Sequence, residues 1–252
     1  MALDVNVSLY QAASALDANS RWQDVIADNL ASGSVPGYKQ QQLSLSAIRA
    51  GLMSANGEKN QPAYFTVPQG TTSTNFSPGE MKYTGDNTDV AIEGKGFFEV
   101  ALPNGSKALT RDGEFQLSST GNLVTKESYP VMGAAGAIRI DPHNSDPISI
   151  SPDGDVSQGT ILKGKLKVTD VDKPALLTQI SGGYFIAKDP NLHTKTSTAS
   201  LREGYLEGSN TSPVGEMANL MNSMRGFEAN QHVIQIMDDR MNKVITELGT
   251  PT

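Results

Sequence analysis

The sequence predicts an α+β protein, with long N- and C-terminal helices paired in a coiled-coil-like arrangement and, between them in the chain, a central all-β domain of antiparallel strands. That domain is expected to be an irregular sandwich or barrel. Apolar residues recur at 3.5-residue spacing near both termini, and turn-forming dipeptides punctuate the middle. Composition points the same way: the 252 residues include 24 Gly and 13 Pro, with 37% hydrophobic and only 6% aromatic residues, a mix that favours many turns and short strands.

The first helix is read from residues 6–31, which contain neither Pro nor Gly. Its spaced positions are Val5, Leu9, Ala12, Leu16, Asn19, Gln23, Ile26 and Leu30. Ser32-Gly33-Ser34-Val35-Pro36-Gly37 then supplies a C-cap and a bar to continuation. Residues 38–75 mix Gln, Ser, Ala, Gly and Asn with little sustained period and read as an extended connector.

The texture changes after Phe76. Short runs such as Asp89-Val90-Ala91-Ile92-Glu93 and Gly96-Phe97-Phe98-Glu99-Val100 alternate with the turn pairs Asn104-Gly105, Asp112-Gly113, Gly121-Asn122 and Asp153-Gly154, which implies antiparallel hairpins. Further strands are expected at 137–140, 148–150, 162–168 and 183–187. The period returns at Ser212, an N-cap followed by Pro213 at the first helical position and Glu216 at the positive end of the helix dipole. The second seam is Met217, Leu220, Met224, Phe227, Gln231, Ile234, Asp238, Met241, Ile245 and Leu248, and Gly249 and Pro251 close it. The expected division is 1–32 plus 212–252 as a terminal helical assembly domain, 33–75 as an extended linker and 76–211 as the β domain.

Each apolar seam residue is worth about 1.5–3 kcal/mol on full burial, so both seams need a partner. Val233, Met237 and Val244 flank the second seam and would stay wet in a simple two-helix hairpin. This favours terminal helices that are largely disordered or molten in the monomer and order when several subunits pack together. An intramolecular antiparallel coiled coil on the β domain is the alternative.

A net charge of -7 leaves no basic field for nucleic acid, and the absence of cysteine excludes disulfides and thiolate metal sites. No run reaches membrane-spanning length, and Asp4, Asp17, Asp24 and Asp28 give the first helix the wrong sign for anionic lipid. The N-terminus lacks the pattern of a cleavable signal peptide, so export would have to leave it intact. Gly94-Lys95-Gly96 lacks the third glycine of a nucleotide loop and reads as a turn. Asp146, Asp153 and Asp155 lack EF-hand spacing, and His143, His193 and His232 show no metal-ligand pattern. No G-x-S-x-G elbow accompanies the serines. The expectation is therefore no enzyme, no cofactor and no metal. Two rivals remain: a β-fold hydrolase with helical arms, which needs clustered acids or histidines in a pocket of 76–208, and a secreted β-domain binding module with dispensable arms.

Four segments resemble the flagellar rod and hook proteins that build the bacterial flagellar axis. Asp28-Asn29-Leu30-Ala31 with Pro36-Gly37-Tyr38-Lys39 resembles the N-terminal signature, although Ser32 and Val35 stand where Asn and Thr are usual. The run from Thr84 to Val100 resembles the segment shared by rod and hook subunits. Thr110-Arg111-Asp112-Gly113-Glu114-Phe115, Gly121-Asn122-Leu123-Val124 and Tyr129-Pro130-Val131-Met132-Gly133 are similar to the next hairpins. Leu206-Glu207-Gly208-Ser209-Asn210 and Met224-Arg225-Gly226-Phe227-Glu228-Ala229-Asn230-Gln231 resemble the C-terminal entry and assembly helix.

The resemblance implies a type III-exported axial subunit of the basal-body rod, crossing the periplasm in a Gram-negative envelope. Its terminal helices would wall a tube and its β domain would form an outer layer. Implied partners are further copies, other rod and hook proteins and the export apparatus, with no nucleic acid and no membrane insertion. The chain is too short for a hook protein, which carries an additional outer domain. Residues 206–210, Pro213-Val214, Met217 and the run Gly164-Lys165-Leu166-Lys167-Val168 look more like the proximal than the distal rod subunit. The expected assembly interface is Leu9, Leu16, Ile26, Asn29, Leu30, Pro36, Gly37, Met217, Leu220, Met224, Phe227, Ile234, Met241, Ile245 and Leu248.

Overall fold

A computed structural model describes residues 2–53, 63–187, 189 and 192–248. The fold is α+β and divides into two compact units. One comprises Met1–Leu30, Gln41–Ser73 and Pro213–Thr252; the other comprises Ala31–Gln40 and Thr74–Ser212.

The first unit contains helix α1 (Ala2–Ala31), helix α2 (Pro213–Leu248) and a two-stranded sheet of β1 (Gln41–Met53) and β2 (Ala63–Thr74). Both helices run where the 3.5-residue spacing places them, and α2 begins on Pro213 with Glu216 in its first turn. The two strands lie where an extended connector over 33–75 is expected. Thr71 Oγ1 donates to the Ser44 carbonyl and Ser46 Oγ to the Gln69 carbonyl, so the strands run antiparallel. Their stability comes from pairing and from α1 alongside, with Gln11 Nε2 donating to the Thr66 carbonyl at 3.1 Å and Ser14 Oγ to the Pro68 carbonyl at 3.2 Å. A strand needs a partner 20 or more residues away, which composition within the segment does not reveal.

The second unit is antiparallel throughout its described ladders. Its largest sheet is open and ordered Leu177–Ile180, Tyr184–Ala187, Lys107–Thr110, Phe97–Ala101, Val168–Val171, Thr194–Thr196. Alternation along Phe97–Ala101 sends Phe98 and Val100 into the main core with Val90, Phe115 and Leu123, and Phe97 into a second cluster with Leu109 and Phe185 on the other face. A three-stranded sheet (Ile148–Ile150, Asp155–Gln158, Ile161–Lys165) adjoins them in sequence. Gly94-Lys95-Gly96 forms the turn between strands Val90–Glu93 and Phe97–Ala101. Strand Tyr205–Glu207 pairs with Met81–Tyr83, so the last segment before α2 is itself part of the β unit.

Candidate functional site

Helix α2 carries two different apolar faces. Within the first unit Leu220, Phe227 and Ile234 are half-buried on the side of the buried Glu216 and Ser223. Ser223 Oγ donates to the Asn19 carbonyl of α1 at 3.4 Å. A side chain at Gly226 would stand 3.5 Å from Asn19 Nδ2, so a small residue admits α1 at that point. The other face presents Val214, Met217, Met221 and Met224, spaced three, four and three residues apart and therefore aligned on one side of the helix. Met217 and Met221 are each 56% exposed and Met224 is 52% exposed.

The single seam expected on α2 is thus divided between an inward and an outward face. At 3.6 residues per turn, positions three apart such as Met217 and Leu220, or Met224 and Phe227, stand about 60° apart around the helix, so the alternate members of the series need not share one face. On α1, Ile26 is buried, Leu16 and Leu30 are half-buried and Leu9 is exposed. Met241 is exposed on α2, and the side chains of Val5, Val244, Ile245 and Leu248 lie outside the described residues.

The expected site residue Asn29 sits at the point where three segments meet. It is 1% exposed, and its amide bonds the start of β1 in both directions: Gln41 N donates to Oδ1 at 2.9 Å, and Nδ2 donates to the Gln41 carbonyl at 2.8 Å. The same Nδ2 reaches Glu216 Oε1 in the first turn of α2 at 3.2 Å. One buried amide therefore fixes the end of α1, the entry to the hairpin and the beginning of α2.

In the β unit, Gly37 is buried and Pro36 half-buried, within the segment leaving α1. Gly37 has φ +67, and a Cβ there would fall 2.2 Å from the Arg111 carbonyl carbon. Only glycine permits that approach. Beside it, Lys39 is 1% exposed; Nζ donates to Glu207 Oε1 at 2.6 Å and to the Ser77 carbonyl at 2.8 Å. Arg111 Nη1 donates to Glu207 Oε2 at 3.1 Å and to the Ile92 carbonyl at 3.3 Å, while Nη2 donates to the Gly94 carbonyl at 2.7 Å. Burial pulls the Lys39 ammonium below its ordinary range, against the opposing pull of the Glu207 carboxylate; Arg111 is lowered for the same reason.

Lys39, Arg111, Glu207, Asn210 and Glu216 were not among the expected site residues. The first four belong to the motifs quoted above, but a charge or an amide in a loop motif gives no sign of the distant group it will meet.

A cleft in the β unit is lined by Thr84, Asp86, Thr88, Asp89, Glu114 and Leu117 among others, which brings together acids of the kind the hydrolase reading requires. Asp86 Oδ1 is held by Thr88 N and Oγ1, a turn-forming arrangement. Among the described residues no group of His, Cys, Asp and Glu has the arrangement of a metal site, and no helix is long and apolar enough to cross a membrane.

Three stretches match known families in chain order: residues 9–39 the flagella basal body rod protein family, 91–158 the flagellar hook protein FlgE/F/G D1 domain, and 202–247 the flagellar basal body rod FlgEFG protein C-terminal family. The chain is 30% identical to the flagellar basal-body rod protein FlgG of Buchnera aphidicola from Schizaphis graminum, across 94% of this chain and 98% of the relative. It is 30% identical to the FlgF of Mesorhizobium japonicum across 96% and 98%, and 30% identical to the FlgF of Escherichia coli across 94% and 96%.

Proposed function

The chain belongs to the flagellar basal-body rod protein family, whose members are structural subunits and not enzymes, and from that premise we propose that it builds the proximal rod through both of its terminal helices. The carrying observation is the outward face of α2: Val214, Met217, Met221 and Met224 form a continuous apolar row on a helix whose opposite side already meets α1. An apolar row of that length on a subunit of a polymer calls for a neighbour's helix, and methionine adapts to slightly inequivalent neighbours around a helical tube. Repeating such a heterologous contact by a screw operation gives an open polymer.

In this reading the terminal helices pack in coiled-coil fashion within and between subunits, bringing together Leu9, Leu16, Ile26 and Leu30 with Met217, Leu220, Met224, Phe227, Ile234, Met241, Ile245 and Leu248. Asn29, Pro36 and Gly37 set the exit angle, and the β unit forms the outer layer. Neighbouring rod and hook subunits are the further partners. The subunit reaches its place across the periplasm through the flagellar export apparatus. Residues 164–168 and 206–210 support the proximal position. The distal rod is the second reading, favoured by the equal identity of relatives that carry two different subunit names.

The test replaces the exposed methionines. Met217→Glu with Met221→Glu is expected to change the stability of the isolated chain by less than about 0.5 kcal/mol, because both side chains are largely in water. The same pair should abolish swimming and rod completion, as should Leu16→Asp or Phe227→Asp. Normal swimming with the methionine pair would overturn the assembly role of this face. Immunogold labelling of isolated basal bodies reads the position along the axis.

A further inference from the structure

Three segments far apart in sequence meet at one buried point of the β unit: Lys39 from the segment leaving α1, Arg111 from a hairpin, and Glu207 from the segment entering α2. We propose that this cluster is a positioning clasp, which holds the outgoing segment 36–40 and the returning segment 205–210 side by side in the unassembled subunit. The proposal rests on the reading that α1 and α2 act as a pair in assembly, because a fixed spacing of their two roots is what such a pair requires.

The backbone of both segments is joined on either side of the ion cluster. Gly37 N donates to the Glu207 carbonyl at 2.6 Å and Asn210 N to the Tyr38 carbonyl at 3.4 Å. Asn210 extends the grip: its Oδ1 accepts from Gln40 N at 2.7 Å, and its Nδ2 donates to the carbonyls of Asn75 and Ser77 at 2.8 and 2.9 Å. Gly79 N also donates to Glu207 Oε1 at 2.9 Å, and a Cβ at Gly79 would lie 1.9 Å from the Gly208 carbonyl oxygen. The backbone on which Glu207 sits is thereby pinned by close approach as well.

Stability alone does not call for charges here. Burying an ion pair costs desolvation that well-packed apolar side chains of similar volume avoid, and such replacements are often neutral or stabilising. What the ionic cluster adds is uniqueness of arrangement. Both Glu207 oxygens are engaged, one by Lys39 and Gly79 and the other by Arg111; Arg111 also donates to the carbonyls of Ile92 and Gly94 and Lys39 to that of Ser77, while Arg111 Nε is buried without a hydrogen-bond partner. A slip of one residue in either segment would leave a buried charge without its partner, whereas an apolar contact would slide. Arg111 also lies over the Phe97 ring, 5.4 Å from its centroid, which ties the clasp to the large sheet.

The chain has no cysteine, so labels can be placed without background. Spin labels on Ser34→Cys and Ser212→Cys, both exposed and both within the β unit, report the spacing of the two segments in the full-length monomer by double electron–electron resonance. The parent should show a narrow distance distribution, and Lys39→Arg should retain it. Glu207→Gln, and separately the apolar pair Lys39→Met with Glu207→Leu, should at least double its width. Each should also speed amide exchange tenfold or more in 36–40 and 205–210 while leaving 97–101 and 107–110 unchanged. A merely structural role would instead speed exchange across the sheet. An unchanged width in the apolar pair, a uniform rise in exchange, or failure of both variants to fold would each overturn the proposal. Absence of the protein from basal bodies would overturn the rod reading and leave these measurements on the isolated chain standing.

Discussion

Replacing Asn29 by Ala would remove the side chain that joins α1, β1 and α2. The hydrogen bonds lost include those at 2.8, 2.9 and 3.2 Å, two to the Gln41 backbone and one to the buried Glu216 carboxylate. A buried polar group stripped of its partner costs about 1–3 kcal/mol, and more if charged. Gln41 is only half-buried, so water recovers part of its share, and losses in one network are not additive. The expected destabilisation of the helix roots is about 3 kcal/mol, which corresponds to a rise of roughly a hundredfold in local opening. Hydrogen exchange of the monomer reads this directly at residues 26–31, 41–43 and 213–217. Asn29→Asp should be at least as damaging at neutral pH, because it keeps the acceptor for Gln41 N but sets a carboxylate against Glu216, and acid should partly relieve it. Less than a threefold change in exchange for both variants would refute the role assigned to Asn29.

Two further outcomes follow from the β unit. Burial pushes the Asp112 carboxyl from 3.8 up to about 7, against the hydrogen bond it accepts from Glu114 N. The folded state therefore holds the proton more tightly than the unfolded chain; this stabilisation is full below about pH 4 and is lost as pH rises towards 7, up to roughly 4 kcal/mol. Asp112→Asn should flatten that slope in urea unfolding followed between pH 4 and 8, and an unaltered slope would contradict the assignment. Gly37→Ala would drive a methyl into the backbone of Arg111 and should cost about 2–4 kcal/mol in the same assay. Gly105→Ala is the control: φ is +79 but nothing lies within 4 Å of the added carbon, so only backbone strain of about 1–2 kcal/mol applies.

Sequence by itself determined the two helices, because the apolar spacing of residues 6–31 and 213–248 and the caps at Gly33, Pro36, Ser212 and Pro213 are all local signals. It likewise determined that residues 76–208 form short antiparallel strands, since Asn104-Gly105, Gly121-Asn122 and Asp153-Gly154 each close a nearby hairpin, whereas Asp112-Gly113, expected to do the same, lies between strands that pair elsewhere. The motifs were legible as family marks, and Asn29 and Gly37 were legible as residues of the helix exit.

Tertiary structure alone decided the rest. Residues 41–53 have little sustained period and read as a linker; their pairing with 63–74 and the contacts from α1 make them a strand, on which Leu45 and Ile48 remain exposed. The apolar seam of α2 became two faces only once Ser223 met Asn19, because a helix gains a direction from what it packs against. Lys39, Arg111 and Glu207 became a single cluster although Glu207 stands 168 residues from one partner and 96 from the other. A charge acquires its meaning from the opposite charge beside it, and at such separations that neighbour is chosen by the fold.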